Sequence, residues 1–261
     1  VLPQMTNSRS VKLLAIPGLP FVKPGDDLGA LIGAALESAG ARPQSGDVLV
    51  VAQKIVSKAE NRFVDLATVT PSGEARRLAA EVGKDPRIVE VVLSESTRVV
   101  RSRPNLMIME HRLGMVMANA GVDHSNVTPA GGPDQLLLLP RDPDASAAQL
   151  RDALSARFGI DLAVVISDSF GRAWRRGTVG VAIGSAGLPA LVDMRGKPDL
   201  FGRILEVTVV GFGDEIAAAA GLLMGQADEG QPVILMRGLR WTAPIVPASE
   251  LIRPPAEDLF R

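Results

Sequence analysis

Apolar positions recur along this chain with two periods, and each change of period marks an element. Val11–Ile16 reads as a strand stopped by Pro17-Gly18-Leu19-Pro20. Leu28, Leu31, Ile32, Ala35 and Leu36 share one helical face behind a cap at Asp26 or Asp27, and Gly40 ends that helix. Asp47–Ala52 is a buried strand. Glu74–Val82 and Pro86–Glu95 are helices, the second with proline in its first turn, and short strands follow around Val99, Leu106–Met109 and Met115–Ala118. Residues 126–143 are rich in Gly and Pro and read as an extended connection, the best place for a subdomain boundary in what is otherwise one domain over residues 1–261. Asp144 caps a helix through Arg157 that Gly159 stops, and Asp161–Ile166 is a strand that delivers Asp168 at its end. Strands at Gly177–Gly187, Ile204–Val210 and Pro232–Met236 and a helix at Asp214–Met224 complete the chain, which carries no fixed-period repeat. Several strands follow one another with no room for a crossover helix, so the expected class is α+β, with mixed, largely antiparallel sheets and flanking helices.

Composition narrows this picture modestly. The 261 residues include no Tyr and two Trp, which leaves the core to Val, Leu, Ile and Ala. A formal net charge of −1 gives no global attraction to nucleic acid or anionic membrane, so an anion site must be local. The absence of cysteine excludes disulfides, thiolate metal sites and cysteine nucleophiles, and fits a reducing compartment. No signal-like or membrane-spanning apolar run is present, and the expectation is a soluble, cytoplasmic protein.

Four clusters can carry chemistry. Asn119-Ala-Gly-Val-Asp123-His-Ser-Asn126 sets a carboxylate and two amides in a turn, which suits a hard cation held through oxygen and equally suits a turn bonded to its own backbone. Asp168-Ser169, after an apolar strand, reads as a catalytic or metal-holding pair or as a cap, and Phe170 excludes an Asp-x-Asp phosphotransferase. Arg172, Arg175 and Arg176, with Arg195 and Lys197 downstream, suit a phosphate or carboxylate substrate or a solvated charged face. Lys54 and Lys58, on a loop after the strand, suit a phosphate or plain solvent exposure. Gly211-Phe-Gly213 imitates a dinucleotide fingerprint, but Ile216 replaces the third glycine and Asp214 would repel a pyrophosphate. No P-loop exists, and His111 and His124 form no zinc pattern.

Beyond these clusters, ordered landmarks cover nearly the whole chain. They are Gly18-Leu19-Pro20, Gly25-Asp26-Asp27-Leu28, Gly46-Asp47-Val48-Leu49-Val50-Val51, Ser57-Lys58-Ala59-Glu60, Asn119-Ala-Gly-Val-Asp123, Ser125-Asn126, Leu137-Leu-Leu-Pro140, Asp168-Ser169 with Gly171-Arg172, Arg175-Arg176-Gly177, Asp199-Leu200-Phe201-Gly202-Arg203, Glu206-Val207-Thr208-Val209, Asp214-Glu215-Ile216-Ala217 and Leu222-Leu-Met-Gly-Gln226. In these the sequence resembles the coenzyme F420-0:gamma-glutamyl ligases. The resemblance implies that family's uncommon mixed α/β fold, an intertwined homodimer, and GTP with two divalent cations, Mg²⁺ or Mn²⁺, K⁺ being a candidate monovalent cation. It implies F420-0 and L-glutamate as the other substrates. By position, Asp123 and Asp168 would hold one metal and Ser169 and Gln226 the second. Leu19, Pro20, Phe21, Val22, Gln53, Lys54, Lys58, Asn126, Met224, Gly225 and Gln226 would contact the nucleotide. Lys58 joins the two aspartates as a catalytic candidate, and Arg172, Arg175 and Arg176 are the candidates for the acidic coenzyme precursor. Gln53 and Lys54 stand where some relatives carry small hydroxyl residues, and Ser169 where some carry Thr. The flavin-binding domain fused to actinobacterial relatives is not expected. Two rival readings are a GTP- and metal-binding sensor without catalysis and an NAD(P)-dependent oxidoreductase resting on Gly211 and Gly213.

Overall fold

The strand expected at the start forms as β1 (Lys12–Ala15), and α1 (Leu28–Ser38) begins where the Asp27 carboxylate accepts from the Ala30 N–H at 2.9 Å. The computed structural model describes residues 9–127, 132 and 134–259. β2 (Val48–Ala52) runs without a break into α2 (Gln53–Ala59). Lys54 and Lys58 therefore sit on a helix rather than the expected loop, because its seven residues are too few to display a helical period. After β3 (Phe63–Asp65) come α3 (Gly73–Val82) and α4 (Pro86–Ser94), capped by Ser72 and Asp85. β4 (Ser96–Arg103), β5 (Leu106–His111) and β6 (Val116–Ala118) form an antiparallel sheet.

The connection at 126–143 is not uniformly extended loop. Within it β7 (Gln135–Leu137) pairs with β3, because the apolar run 136–139 is buried; residues 128–131 and 133 of the connection lie outside the described residues. α5 (Pro143–Phe158) is capped by Asp142 and not by Asp144, since Pro143 takes the first helical position and holds the residue before it extended. Asp144 instead accepts from Ser185 N–H at 2.8 Å and from Ala248 N–H at 2.9 Å, tying the last described segment to the core.

β8 (Ala163–Gly171) continues well past Ile166, so Asp168 lies within a strand and not at its end. A turn over residues 172–177 joins it to β9 (Thr178–Ala186). β10 (Val192–Asp193) pairs with β11 (Val209–Val210); the strand expected over 204–210 is reduced to that pair, with an isolated bridge from Ile204 to Pro198 before it. α6 (Phe212–Met224) and β12 (Val233–Arg237) complete the order.

The main sheet is five-stranded, in the order β1-β12-β2-β8-β9, and only the β2–β8 neighbours are parallel. Both of its faces are covered, which explains the unbroken apolar runs of β2 and β8. Leu49, Val51, Val164 and Ile166 meet α1 and α5 through Ile32, Leu36 and Leu154, whereas Val48, Val50, Ala163 and Val165 meet Ile216, Ala217 and Ala220 of α6. Alanines on α6 let it lie very close to β9. A methyl group at Gly180 would overlap the Ala217 carbonyl. A third cluster packs α3 and α4 on β5 through Leu78, Val82, Val89, Met107 and Met109.

Candidate active site

β2 ends beside Ser167 of the longer β8, with Ala52 in register with it, so Gln53 starts its helix next to Asp168. Ligands favour this location, beyond the carboxyl ends of parallel strands. A cavity of about 750 Å³ opens there. Its wall contains all of Leu19 to Val22, Gln53, Lys54, Lys58, Asn126, Met224, Gly225 and Gln226, together with Asp168 and Ser169. Segments remote in sequence thus converge on one space.

Strand alternation separates the two β8 residues. Asp168 shares the face of Ile166, towards α2, while Ser169 shares that of Val165, towards α6. Accordingly, the Ser169 hydroxyl donates to Gln226 Oε1 at 2.7 Å, just beyond the end of α6, and Thr178 Oγ1 lies 3.5 Å from the same oxygen. On the other side, Asp168 Oδ1 accepts from the Ser169 N–H at 2.8 Å. One residue of β9 is in excess opposite Ile166 and Ser167, a bulge of the kind found beside functional sites.

Asp123 arrives from a different layer. Asn119, Ala120 and Gly121 occupy the left-handed region in succession, with φ of 50°, 51° and 66°. This is strained backbone for asparagine and alanine. Lys84 donates to Asn119 Oδ1 at 3.1 Å, and Asp123 exchanges both backbone hydrogen bonds with Leu137 at 2.9 Å. Its carboxylate is not spent on the local turn. Oδ2 accepts from Gln53 Nε2 at 2.9 Å, and Oδ1 lies 3.4 Å from Lys54 Nζ.

The charge of Asp123 bears on Asp168. Burial, followed by the charge of Asp123, pushes the Asp168 carboxyl up from 3.8 to about 6. Burial also raises Asp123, against the opposing pull of Lys54 and Gln53. Oxygen ligands alone, from two carboxylates, a hydroxyl and an amide carbonyl, fit a hard divalent cation that keeps positions for water and phosphate. Among the described residues no cluster of three or more His, Cys, Asp or Glu offers a fuller cage. Lys58, lowered by burial and by the neighbouring Lys54, donates to the Asn126 carbonyl at 2.7 Å, and Asn126 Nδ2 donates to the Ala227 carbonyl at 3.0 Å. These bonds tie α2, the Asp123 turn and the segment after α6 into one rim.

The raised Asp168 has a measurable consequence for the cation-free protein. Because its folded value exceeds its unfolded one, the folded state binds the extra proton, and this group's contribution to stability falls as pH rises from about 4 to about 6. The change amounts to about 3 kcal/mol. Urea titrations of wild type and Asp168→Asn across that range should give a stability difference that moves against the wild type as pH rises; a flat difference would refute the shift.

Not every expected residue lines the cavity; Asp123 is outside its wall and is joined to it through Gln53 and Lys54. Arg172, Arg175 and Arg176 lie on the turn between β8 and β9, Arg175 and Arg176 exposed, and none lines the wall. Arg195 is paired with Asp193. His124 contacts Asp134 at 2.7 Å, and His111 is fully buried beside Glu95. The dinucleotide imitation is accounted for by packing: Asp214 Oδ1 accepts from the Ala182 N–H at 2.9 Å, and Gly213 admits Ala182 and Ala190. Glu229, not anticipated, lines the wall and accepts from the Ala227 N–H at 2.8 Å. Only its sequence proximity to Gln226 could have indicated it.

The fold and the cleft define an α+β protein whose sheet end gathers carboxylates, lysines and neutral oxygen ligands around one chamber. The family model for F420-0:gamma-glutamyl ligase matches residues 18–238. Over 257 residues the chain is 48% identical to the coenzyme F420:L-glutamate ligase of Methanopyrus kandleri, covering 97% of this chain and 98% of that one. Its identity to the protein of the same name from Methanothermobacter thermautotrophicus is 45%, covering 96% and 99%. For the Archaeoglobus fulgidus protein the figure is 43%, with 96% of each chain covered. The chain therefore belongs to the F420-0:gamma-glutamyl ligase family.

Proposed function

We propose that this protein is a ligase that joins L-glutamate to F420-0 at the expense of GTP, through an acyl-phosphate intermediate. The observation that carries the proposal is the convergence of positions 19–22, 53, 54, 58, 126 and 224–226 on a single cavity that also contains Asp168 and Ser169. In this reading the terminal carboxylate of F420-0 attacks the γ-phosphorus of GTP and GDP leaves. The α-amine of glutamate then attacks the acyl carbon, forming the amide and releasing phosphate and a proton. Divalent cations, Mg²⁺ or Mn²⁺, supply charge neutralisation for in-line phosphoryl transfer. Asp123 and Asp168 would hold one from the α2 side of β8, and Ser169 and Gln226 a second from the α6 side. Lys54 balances Asp123, and Lys58 adds positive charge where the phosphates enter. Arg172, Arg175 and Arg176, beyond the cavity on the next turn, would receive the anionic tail of the coenzyme precursor.

The test is incubation with GTP, Mn²⁺, L-glutamate and F420-0, followed by mass spectrometry for the added glutamyl residue. GTP and metal binding without product would identify a sensor, and saturable NAD(P) binding an oxidoreductase.

We also propose a homodimer. The excursion around β10 and β11 exposes Leu200, Phe201 and Val207 at 80%, 88% and 84%, apolar surface that a second copy would cover. Sedimentation equilibrium should give twice the chain mass for wild type and a shift towards the monomer for Phe201→Glu with Val207→Glu; a wild-type monomer would refute it. No helix among the described residues is long and apolar enough to cross a membrane.

A further inference from the structure

The side chain of Gln53 is only 2% exposed, and both ends of its amide are engaged. Oε1 accepts from the hydroxyl of Ser57, itself fully buried one helical turn along α2, at 2.9 Å, while Nε2 donates to Asp123 Oδ2 at 2.9 Å. A flipped amide would set its carbonyl oxygen against a carboxylate, so the polarity of this relay is fixed by charge. The α2 backbone of Gln53 begins directly after the β2 residue that pairs with Ser167, so the same strand end sets both the amide and Asp168.

Resting on the metal-site reading above, we infer that Gln53, oriented by Ser57, is a positioning residue that aims the Asp123 carboxylate at the cation shared with Asp168. This is a role distinct from touching the nucleotide. Partners of metal ligands act in this way by removing alternative ligand orientations. The nearest competing donor, Lys54, lies on the other carboxylate oxygen at 3.4 Å and fixes charge more than direction.

Titration calorimetry with Mn²⁺ alone, without nucleotide or substrates, tests this in wild type, Gln53→Leu and Ser57→Ala. Leucine keeps roughly the volume and removes the amide. The expected result is a loss of Mn²⁺ affinity of about tenfold or more for Gln53→Leu and a smaller loss for Ser57→Ala. Nucleotide affinity measured in EDTA should be unchanged in Ser57→Ala, whose side chain lies outside the cavity wall. Wild-type Mn²⁺ affinity in both variants would overturn the inference and leave the metal site standing, and so would a loss confined to nucleotide binding. Absence of Mn²⁺ binding by the wild type would instead overturn the metal-site reading, and this inference with it. Should Gln53→Leu fail to fold, Ser57→Ala, which removes a single oxygen, decides the matter alone.

Discussion

Asp168→Asn is expected to abolish GTP turnover and, in the same protein, to raise cation-free stability at pH 7. The two effects share one cause. Burial and the nearby Asp123 charge make ionised Asp168 costly to the fold, and that uncompensated charge is what a divalent cation would relieve. Asparagine is nearly isosteric and neutral, so it removes the cost together with the ligand. Losing several kcal/mol of charge stabilisation in the transition state corresponds to a rate reduction on the order of a thousandfold. The gain in stability is bounded by the pKa displacement, at about 3 kcal/mol. Mn²⁺ should raise the unfolding midpoint of the wild type and leave that of the variant almost unmoved. Phosphate release and chemical denaturation read the two effects independently. Normal turnover would remove Asp168 from the metal site, and a less stable variant would mean that the carboxylate is held by partners stronger than its burial penalty.

How much of this was legible in the sequence depends on how many residues each feature spans. α1, α3, α4 and α5 each run long enough to be expected, and their expected extents differ from the observed ones by little at either end, although α5 is capped by Asp142 and not by the expected Asp144. α2 was hidden because it is short and directly continues a strand, although it carries Gln53, Lys54, Ser57 and Lys58. Sequence alone therefore left the lysines on a loop and gave no sign that residues 53 and 57 form one relay. Asp168 was visible as an acidic residue after an apolar run, but its position within β8, with Ser169 turned to the opposite face, required the β9 partner to be known. The Asp123 turn stayed ambiguous because its three left-handed residues satisfy both a plain turn and a ligand site. The deciding contact, to Gln53, spans 70 residues. Gln226 has no local signature at all: it joins the candidate site because α6 packs closely on β9 and brings its end beside Ser169.

That packing can be tested from both of its sides. Gly180 of β9 and Gly221 of α6 face each other there, and both border the cavity. Their substitution by alanine should have opposite consequences. At Gly180 a methyl group would run into the Ala217 carbonyl, a backbone group that cannot rotate away, so α6 must shift or β9 must bend. Overpacking of this kind costs about 1–3 kcal/mol. A shift of α6 would also lengthen the 2.7 Å bond between Ser169 and Gln226, so Gly180→Ala should lose turnover as well as stability. At Gly221 the nearest atom to an added methyl group is Gly180 N, at 3.9 Å, an ordinary contact. There the helix gains propensity, and Gly221→Ala should be neutral or up to about 1 kcal/mol more stable. Urea midpoints with unchanged m-values, measured on both variants, separate the cases. Equal destabilisation by the two would mean that the helix tolerates no added volume on either side and that the close approach is not set by Gly180. A harmless Gly180→Ala would mean that α6 has room to move, and the placement of Gln226 would then need a different physical cause.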